Sequence, residues 1–216
     1  MTNLTKKNTK SKPLMRGLFH QAMFFISIGA CTPLIVKSTN ASEYISTSIY
    51  SAAVLLMFGL SAMYHRFNWE SNTKKVMRKL DHVGIFLMIA GTFTPICLLI
   101  LPWPQGLILL IVVWCVAFFG SIQVVFFPNI DRRIRAAIYL TMGFIAVPNF
   151  SEMFAVFSTA NSVLILIGSF LYIIGAIGYG LKLPKLSPNY FGYHEFFHSL
   201  VSVAAILHFI VIYSIV

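Results

Sequence analysis

Two pairs of chemically active side chains in this chain are each spaced four residues apart. Ser61 precedes His65, and His194 precedes His198, by four residues. On an α-helix, residues i and i+4 project from one face, so each pair would present its two side chains together. Three neutral imidazoles are a usual ligand set for zinc, and a fourth position that is open to water makes such a site hydrolytic. The spacing therefore suggests zinc chemistry, provided that the fold brings the two pairs together.

Asp81 supplies a carboxylate that a hydrolytic zinc site would use. Zinc lowers the pKa of a bound water from 15.7 to ~7, and a nearby carboxylate can accept the proton of that water or orient it. Ser61 is a neutral companion that can help to hold the water or an oxyanion. Each residue also has a simpler explanation, since a lone histidine often hydrogen-bonds between helices and Asp81 would merely cap the third helix. If the fold places these residues at one depth, the metal site is favoured.

The segment His194-Glu195-x-x-His198 also matches the HExxH motif of zinc peptidases, in which the glutamate is the general base. No third ligand follows at the metzincin spacing, and Glu195 lies about 100° round the helix from His194. Otherwise Glu195 would be solvated or paired with a lysine at the start of the helix, where an acidic side chain is favoured. A peptidase is therefore an alternative to the site that includes His65.

Three further histidines lie in or beside apolar segments. His208 follows His198 by ten residues, or about 15 Å along a helix, which is too far for the same metal. His82 faces about 100° away from Asp81. His20 can reach the same layer from the first helix, without a partner of its own. We therefore expect packing or supporting roles for all three.

The elements that must position these residues are membrane helices. Apolar residues make up 58% of the 216 residues and charged residues 10%, with a mean hydropathy of +0.81. Soluble proteins carry roughly 25% charged residues, so a soluble, disordered, collagen-like or disulfide-rich class is excluded. A membrane helix needs about 20 apolar residues. Cutting the chain at its charges and prolines gives seven such segments: 17–36, 44–65, 81–101, 105–127, 133–150, 161–181 and 193–216.

The predicted fold is an all-α integral membrane bundle of seven transmembrane helices, with six as an alternative because the fifth segment is the weakest. Fifteen of the sixteen lysines and arginines fall on one side, and only Lys37 lies opposite. Because basic residues near span ends stay cytoplasmic, the N-terminus is predicted to be cytoplasmic and the C-terminus outside. Residues 1–16 would form a basic cytoplasmic tail and residues 17–216 the membrane domain. Basic residues in loops do not form a groove, so no nucleic-acid partner is expected.

This topology places five polar residues in one layer near the cytoplasmic face, namely Ser61, His65, Asp81, His194 and His198. Three motifs then resemble the hemolysin III branch of the progestin and adipoQ receptor family, in its short bacterial form. They are Ser61-x-x-x-His65, Leu80-Asp81-His82 followed by Ala90-Gly91-Thr92-Phe93-Thr94-Pro95, and His194-x-x-x-His198 with His208-Phe209 downstream. The resemblance extends from the first helix to the last.

The resemblance implies a seven-helix bundle with zinc near the cytoplasmic face, bound by His65, His194 and His198. Asp81 would act through a zinc-bound water, and Ser61 would hydrogen-bond beside it. The wider superfamily includes alkaline ceramidases, so the implied chemistry is hydrolysis of a lipid amide within the membrane. The bacterial branch is also associated with haemolysis and with control of membrane lipid composition.

The leading hypothesis is a zinc-dependent integral-membrane hydrolase that acts on an amide or ester of a membrane lipid. It would be a multi-pass protein of the plasma or inner membrane and would serve membrane lipid homeostasis, with Asp81 as base and later as acid. One alternative is a receptor or sensor with structural zinc, to which Asp81 would bind directly. A second alternative is a cytolysin, although the chain lacks the amphipathic pattern of a water-soluble pore former.

Overall fold

Eight α-helices make up most of residues 13–187 and 189–216, which are the residues that the computed structural model describes. Lys6, Lys7, Lys10 and Lys12, which belong to the predicted basic tail, lie outside the described residues. The helices are α1 (Leu18–Lys37), α2 (Ala41–Arg66), α3 (Ser71–Leu99), α4 (Gln105–Phe126), α5 (Arg132–Phe144), α6 (Phe150–Val156), α7 (Thr159–Leu181) and α8 (Tyr193–Ile215).

Seven helical segments in the described part of the chain are long and apolar enough to cross a membrane. Six of them are single helices, and the fifth, Arg132–Val156, combines α5 and α6. A short 3-10 turn at Val147–Asn149 separates these two helices. Pro148 lies in this turn, where its ring and its missing N–H interrupt the hydrogen bonding of an α-helix. The predicted seven-helix bundle is confirmed, and the segment predicted to be weakest is the one that is broken.

Helix α3 begins ten residues earlier than the sequence predicted. It starts at Ser71, with Glu70 as the preceding residue, so Asp81 lies well inside the helix. The expectation that Asp81 opens or caps this helix is therefore wrong. Cutting the chain at its charges locates the edge of the apolar layer and not the start of the helix, since Lys and Arg are good helix formers. The additional turns carry basic side chains at the end of the bundle where α2 finishes.

Glycines in α3 bring this helix close to α2. A Cβ added at Gly84 would lie 3.1 Å from the Cα of Met57, and one added at Gly91 would collide with the side chain of Ala53. Small residues at a helix interface allow backbones in a membrane to approach in this way. Residue numbers rise along α3 as they fall along α2 at these contacts, so the helices are antiparallel. The end of α2 is thereby held against the middle of α3.

Large apolar side chains cover the outer faces of the bundle. On α4, for example, Ile108, Phe118, Phe119 and Phe126 are all more than half exposed. A surface of this kind suits the hydrocarbon of a bilayer, where no aqueous driving force acts against apolar exposure. Buried ionisable side chains instead lie inside the bundle, most of them near the end where α2 finishes.

Candidate metal centre

Three histidines from two helices meet inside the bundle. One ring nitrogen from each of His65, His194 and His198 lies within 4.8 Å of the others. The Nε2 atoms of His65 and His194 are 3.1 Å apart. In a tetrahedral site with zinc–nitrogen bonds of 2.0–2.1 Å, two ligand nitrogens are separated by about 3.3 Å. The spacing of these nitrogens therefore fits a metal ion of that size.

The burial of the cluster also fits a metal. His65 and His198 are only 7% and 3% exposed, and His198 Nδ1 has no hydrogen-bond partner within residues 13–187 and 189–216. Buried polar atoms are normally paired, so a buried imidazole with an unpaired nitrogen needs an explanation. Neutral imidazole is a common ligand of zinc, copper, iron and nickel. The group can hold a metal ion, and its ligand set does not select zinc by itself.

The local sequence of α2 and α8 explains how the ligands converge. His65 lies in the last turn of α2, while His194 and His198 lie in the first two turns of α8. The i, i+4 spacing puts the last two on one face, with ring centroids 4.5 Å apart. The ring of His65 then packs 4.6 Å from His194 and 5.1 Å from His198. Two helix ends at one depth thus supply all three ligands.

Asp81 reaches the cluster from α3. Its Oδ2 lies 3.6 Å from His65 Nε2, the nitrogen that also faces His194, and the residue is 8% exposed. This contact is consistent with the close approach of α2 and α3 at Gly84 and Gly91 of α3. The carboxylate therefore lies beside a candidate ligand nitrogen.

Ser61 contacts a histidine that the sequence interpretation had left without a partner. Ser61 Oγ lies 2.9 Å from His20 Nδ1, and Ser61 is only 2% exposed. The His20 ring stacks on His198, with centroids 3.7 Å apart and an angle of 4° between the planes. The expectation that His20 has no partner is wrong. Ser61 therefore contacts the cluster through His20, and a histidine near the start of the first span was the only sequence signal for this arrangement.

Glu195 is neither solvated nor paired with a lysine, as the sequence interpretation had allowed. It is 1% exposed, and its Oε1 forms an ion pair with Arg16, which precedes α1. Its Oε2 accepts a hydrogen bond of 2.8 Å from the backbone N–H of Gly192. Both carboxylate oxygens are therefore occupied in fastening the start of α8. This is a structural role, and it argues against Glu195 as the general base of a peptidase.

Two cavities meet at the histidine cluster. A cavity of about 410 Å³, here called the apolar cavity, runs through the bundle between α3, α5, α7 and α8 and is lined by His20, Ser61 and His198 at one end. A second cavity of about 420 Å³, here called the basic vestibule, contains His65 together with several basic side chains. Four residues line both cavities: Asp81, His82, Tyr179 and His194. The candidate metal centre is thus part of the wall between an apolar and a polar space.

His82 and His208 lie outside the cluster. His208 Nε2 donates a hydrogen bond of 3.2 Å to the carbonyl of Ile165, and its ring occupies the space opposite Gly168. It lines the apolar cavity away from the metal centre. His82 accepts a hydrogen bond from Tyr139 through its backbone carbonyl. His208 packs against α7 as expected, while His82 also lines both cavities, and its role stays a prediction.

Comparison with known proteins links the whole chain to one family. The profile of the family described as Haemolysin-III related matches residues 8–209. The chain is 29% identical to the Hemolysin-3 homolog of Bacillus subtilis over 89% of each chain. It is 28% identical to Hemolysin-3 of Bacillus cereus over 98% of each chain. It is also 30% identical to Progestin and adipoQ receptor-like protein 1 of Caenorhabditis elegans, over 77% of this chain and 42% of that protein.

Proposed function

The chain belongs to the haemolysin III-related family, and on that premise we propose that it is a zinc-dependent hydrolase of a membrane lipid amide or ester. It is a multi-pass cell-membrane protein with a buried histidine group that can hold a metal ion. The proposed substrate is a lipid that enters from the bilayer, and the proposed role is in membrane lipid homeostasis. The proposed zinc ligands are His65, His194 and His198.

One observation carries the proposal, namely the position of the histidines and Asp81 in the wall between the two cavities. An acyl chain suits the apolar cavity, because the cavity is lined mostly by apolar side chains and a methylene chain would leave few buried polar groups without partners. A polar headgroup suits the basic vestibule. A lipid that occupied both would have the bond between its acyl chain and its headgroup beside the histidines. That bond is the amide or ester which a hydrolase would cleave.

When bound, zinc would polarise the carbonyl and lower the pKa of water, which is the usual contribution of this metal. Asp81 accepts the proton of the attacking water and returns it to the leaving nitrogen or oxygen. The water oxygen forms a bond to the carbonyl carbon as the bond to the leaving group breaks, so the products are a fatty acid and an amine or alcohol. Ser61 and His20 hold the ring of His198 in orientation through their hydrogen bond and stacking contact.

The test combines metal content with hydrolysis in detergent-purified protein. Wild type is expected to contain about one zinc per chain, and to release fatty acid from a long-chain ceramide or a phosphatidylcholine. His65→Ala and His198→Ala remove ligands and should lose both zinc and hydrolysis. Asp81→Asn should retain zinc and lose about 10²–10⁴-fold in rate, as expected for loss of a general base. Unchanged zinc in His65→Ala, or unchanged hydrolysis in Asp81→Asn, would contradict the proposal.

A receptor or sensor with structural zinc is the second candidate, and the distance of 3.6 Å between Asp81 and His65 favours it over the remaining alternatives. A small movement would make Asp81 a fourth protein ligand and close the site, which is typical of structural zinc. In that case Asp81→Asn would lose zinc together with the two histidine variants. Retention of zinc by Asp81→Asn separates the hydrolase from this candidate.

A further inference from the structure

The basic vestibule has an excess of positive charge that no acidic side chain of the described residues neutralises. It is lined by one carboxylate, Asp81, and by five basic residues: Arg16, Lys74, Arg78, Arg132 and Arg135. Arg16 is paired with Glu195. Within residues 13–187 and 189–216, none of the other four forms an ion pair with an acidic side chain. Cations that converge on one cavity repel each other unless an anion joins them.

Three of these arginines are held in place by backbone carbonyls. Arg78 and Arg135 both donate to the carbonyl of Pro128, at 2.6 and 2.9 Å. Arg132 donates to the carbonyl of Gly180 at 3.1 Å. A guanidinium group has five N–H donors, so each of these contacts leaves other donors available. The arginines are therefore oriented before any ligand arrives, which reduces the entropic cost of binding.

Arg135 gives the strongest indication of a ligand. It is only 3% exposed, although arginine is almost never fully buried unless it is paired. Its Nε has no hydrogen-bond partner in the described residues. A buried charged group with an unpaired donor is costly, so it is usually retained where a partner is supplied from outside.

We propose that the basic vestibule binds a phosphate group, carried by the headgroup of the lipid or present as free phosphate. Phosphate matches several guanidinium groups at once, because its oxygens accept paired hydrogen bonds from each. The inference deepens the proposed function, on which the assignment to a substrate headgroup rests. It makes the substrate a phosphate-bearing lipid, whose acyl chain lies in the apolar cavity and whose headgroup is held by Arg78, Arg132 and Arg135.

Binding of phosphatidic acid and of diacylglycerol with the same acyl chains tests the inference, since the two lipids differ only in the phosphate. Native mass spectrometry of the detergent-purified full chain measures both, and inorganic phosphate is added as a competitor. Wild type should prefer phosphatidic acid by about tenfold or more, the equivalent of one or two charged hydrogen bonds. Competition by inorganic phosphate at equal concentration would assign the site to free phosphate, and its failure to compete would assign it to the lipid.

Matched variants separate the vestibule from general attraction between basic residues and anionic lipids. Arg135→Gln and Arg78→Gln remove vestibule charges, and Arg78 is exposed, so its variant is expected to fold. Arg133→Gln and Lys75→Gln remove exposed charges on the same two helices, α5 and α3. Neither Arg133 nor Lys75 lines the vestibule. The first pair should reduce the preference for phosphatidic acid, and the second pair should leave it unchanged. Equal binding of both lipids by wild type, or equal effects of both pairs, would overturn the inference.

The same assay distinguishes this inference from the proposed hydrolase. His198→Ala removes a proposed metal ligand without touching the vestibule. The hydrolase would be refuted, and the headgroup site supported, by two results together. These are a wild type that contains no zinc and a His198→Ala variant that still prefers phosphatidic acid. Zinc-dependent hydrolysis without any preference for phosphate-bearing lipids would support the hydrolase and refute the phosphate site.

Discussion

The apolar cavity makes a quantitative prediction about the length of the acyl chain that the protein accepts. Ala146 lines this cavity and is 2% exposed. It follows Arg135, a vestibule residue, by eleven positions, and α5 rises about 14 Å from Arg135 to its end at Phe144. Ala146 therefore lies at the end of the cavity that is remote from the histidines. Ala146→Leu adds three carbon atoms there and should shorten the available space without touching the metal centre.

The expected effect follows from overpacking of the cavity, because methylenes that are displaced from it return to lipid or detergent hydrocarbon and not to water. Forcing extra methylenes into a filled apolar space costs about 1–3 kcal/mol. This is a loss of about 5–140-fold in affinity for a lipid that fills the cavity, since 1.4 kcal/mol corresponds to tenfold. A lipid whose chain is three carbons shorter should bind the variant as it binds wild type. The preferred chain length should therefore decrease by about three carbons.

The assay compares a series of lipids that differ only in acyl length, both by binding in native mass spectrometry and by kcat/KM for hydrolysis. Ala160→Leu is the matched control, because it makes the same substitution at an exposed position of α7 that does not line the cavity. A folded Ala146→Leu protein with the chain-length profile of wild type would refute the assignment of this cavity to the acyl chain. A shift of equal size in Ala160→Leu would also refute it.

Three further predictions concern the contacts that support the site. Arg16→Ala should lower the stability of the protein by about 3–5 kcal/mol because it leaves Glu195 buried and unpaired, and the double variant with Glu195→Gln should recover thermal stability. Gly168→Ala should destabilise by about 1–3 kcal/mol because the added Cβ meets a histidine of α8 at 2.5 Å, whereas Gly29→Ala, with no atom of the described residues within 4 Å, should melt no lower than wild type. His20→Ala should weaken zinc binding about 10–100-fold without abolishing it, as zinc titration would measure, and complete loss would instead make His20 a ligand.

The sequence was sufficient to predict the seven spans and the grouping of His65, Asp81, His194 and His198. The length of an apolar run determines whether a helix can cross the bilayer, and the rise of 1.5 Å per residue then sets how deep each residue lies. Helical spacing similarly puts His194 and His198 on one face of α8. The orientation of the termini, inferred from the basic residues, stays a prediction. The placement of His65 beside the α8 histidines agrees with the common depth that the topology gave to these residues.

Only the tertiary structure decided which side chains touch within that layer. Depth is a property of one helix, whereas contact depends on which helices are neighbours and on how each is rotated about its axis. The pairing of Ser61 with His20 and of Glu195 with Arg16 joins residues far apart in the chain, and no local pattern encodes either contact. The early start of α3 was also hidden, because charged residues mark the edge of the membrane and are compatible with a continuing helix. The two cavities arise in the same way, from the space that several packed helices leave between them, which no single segment of sequence determines.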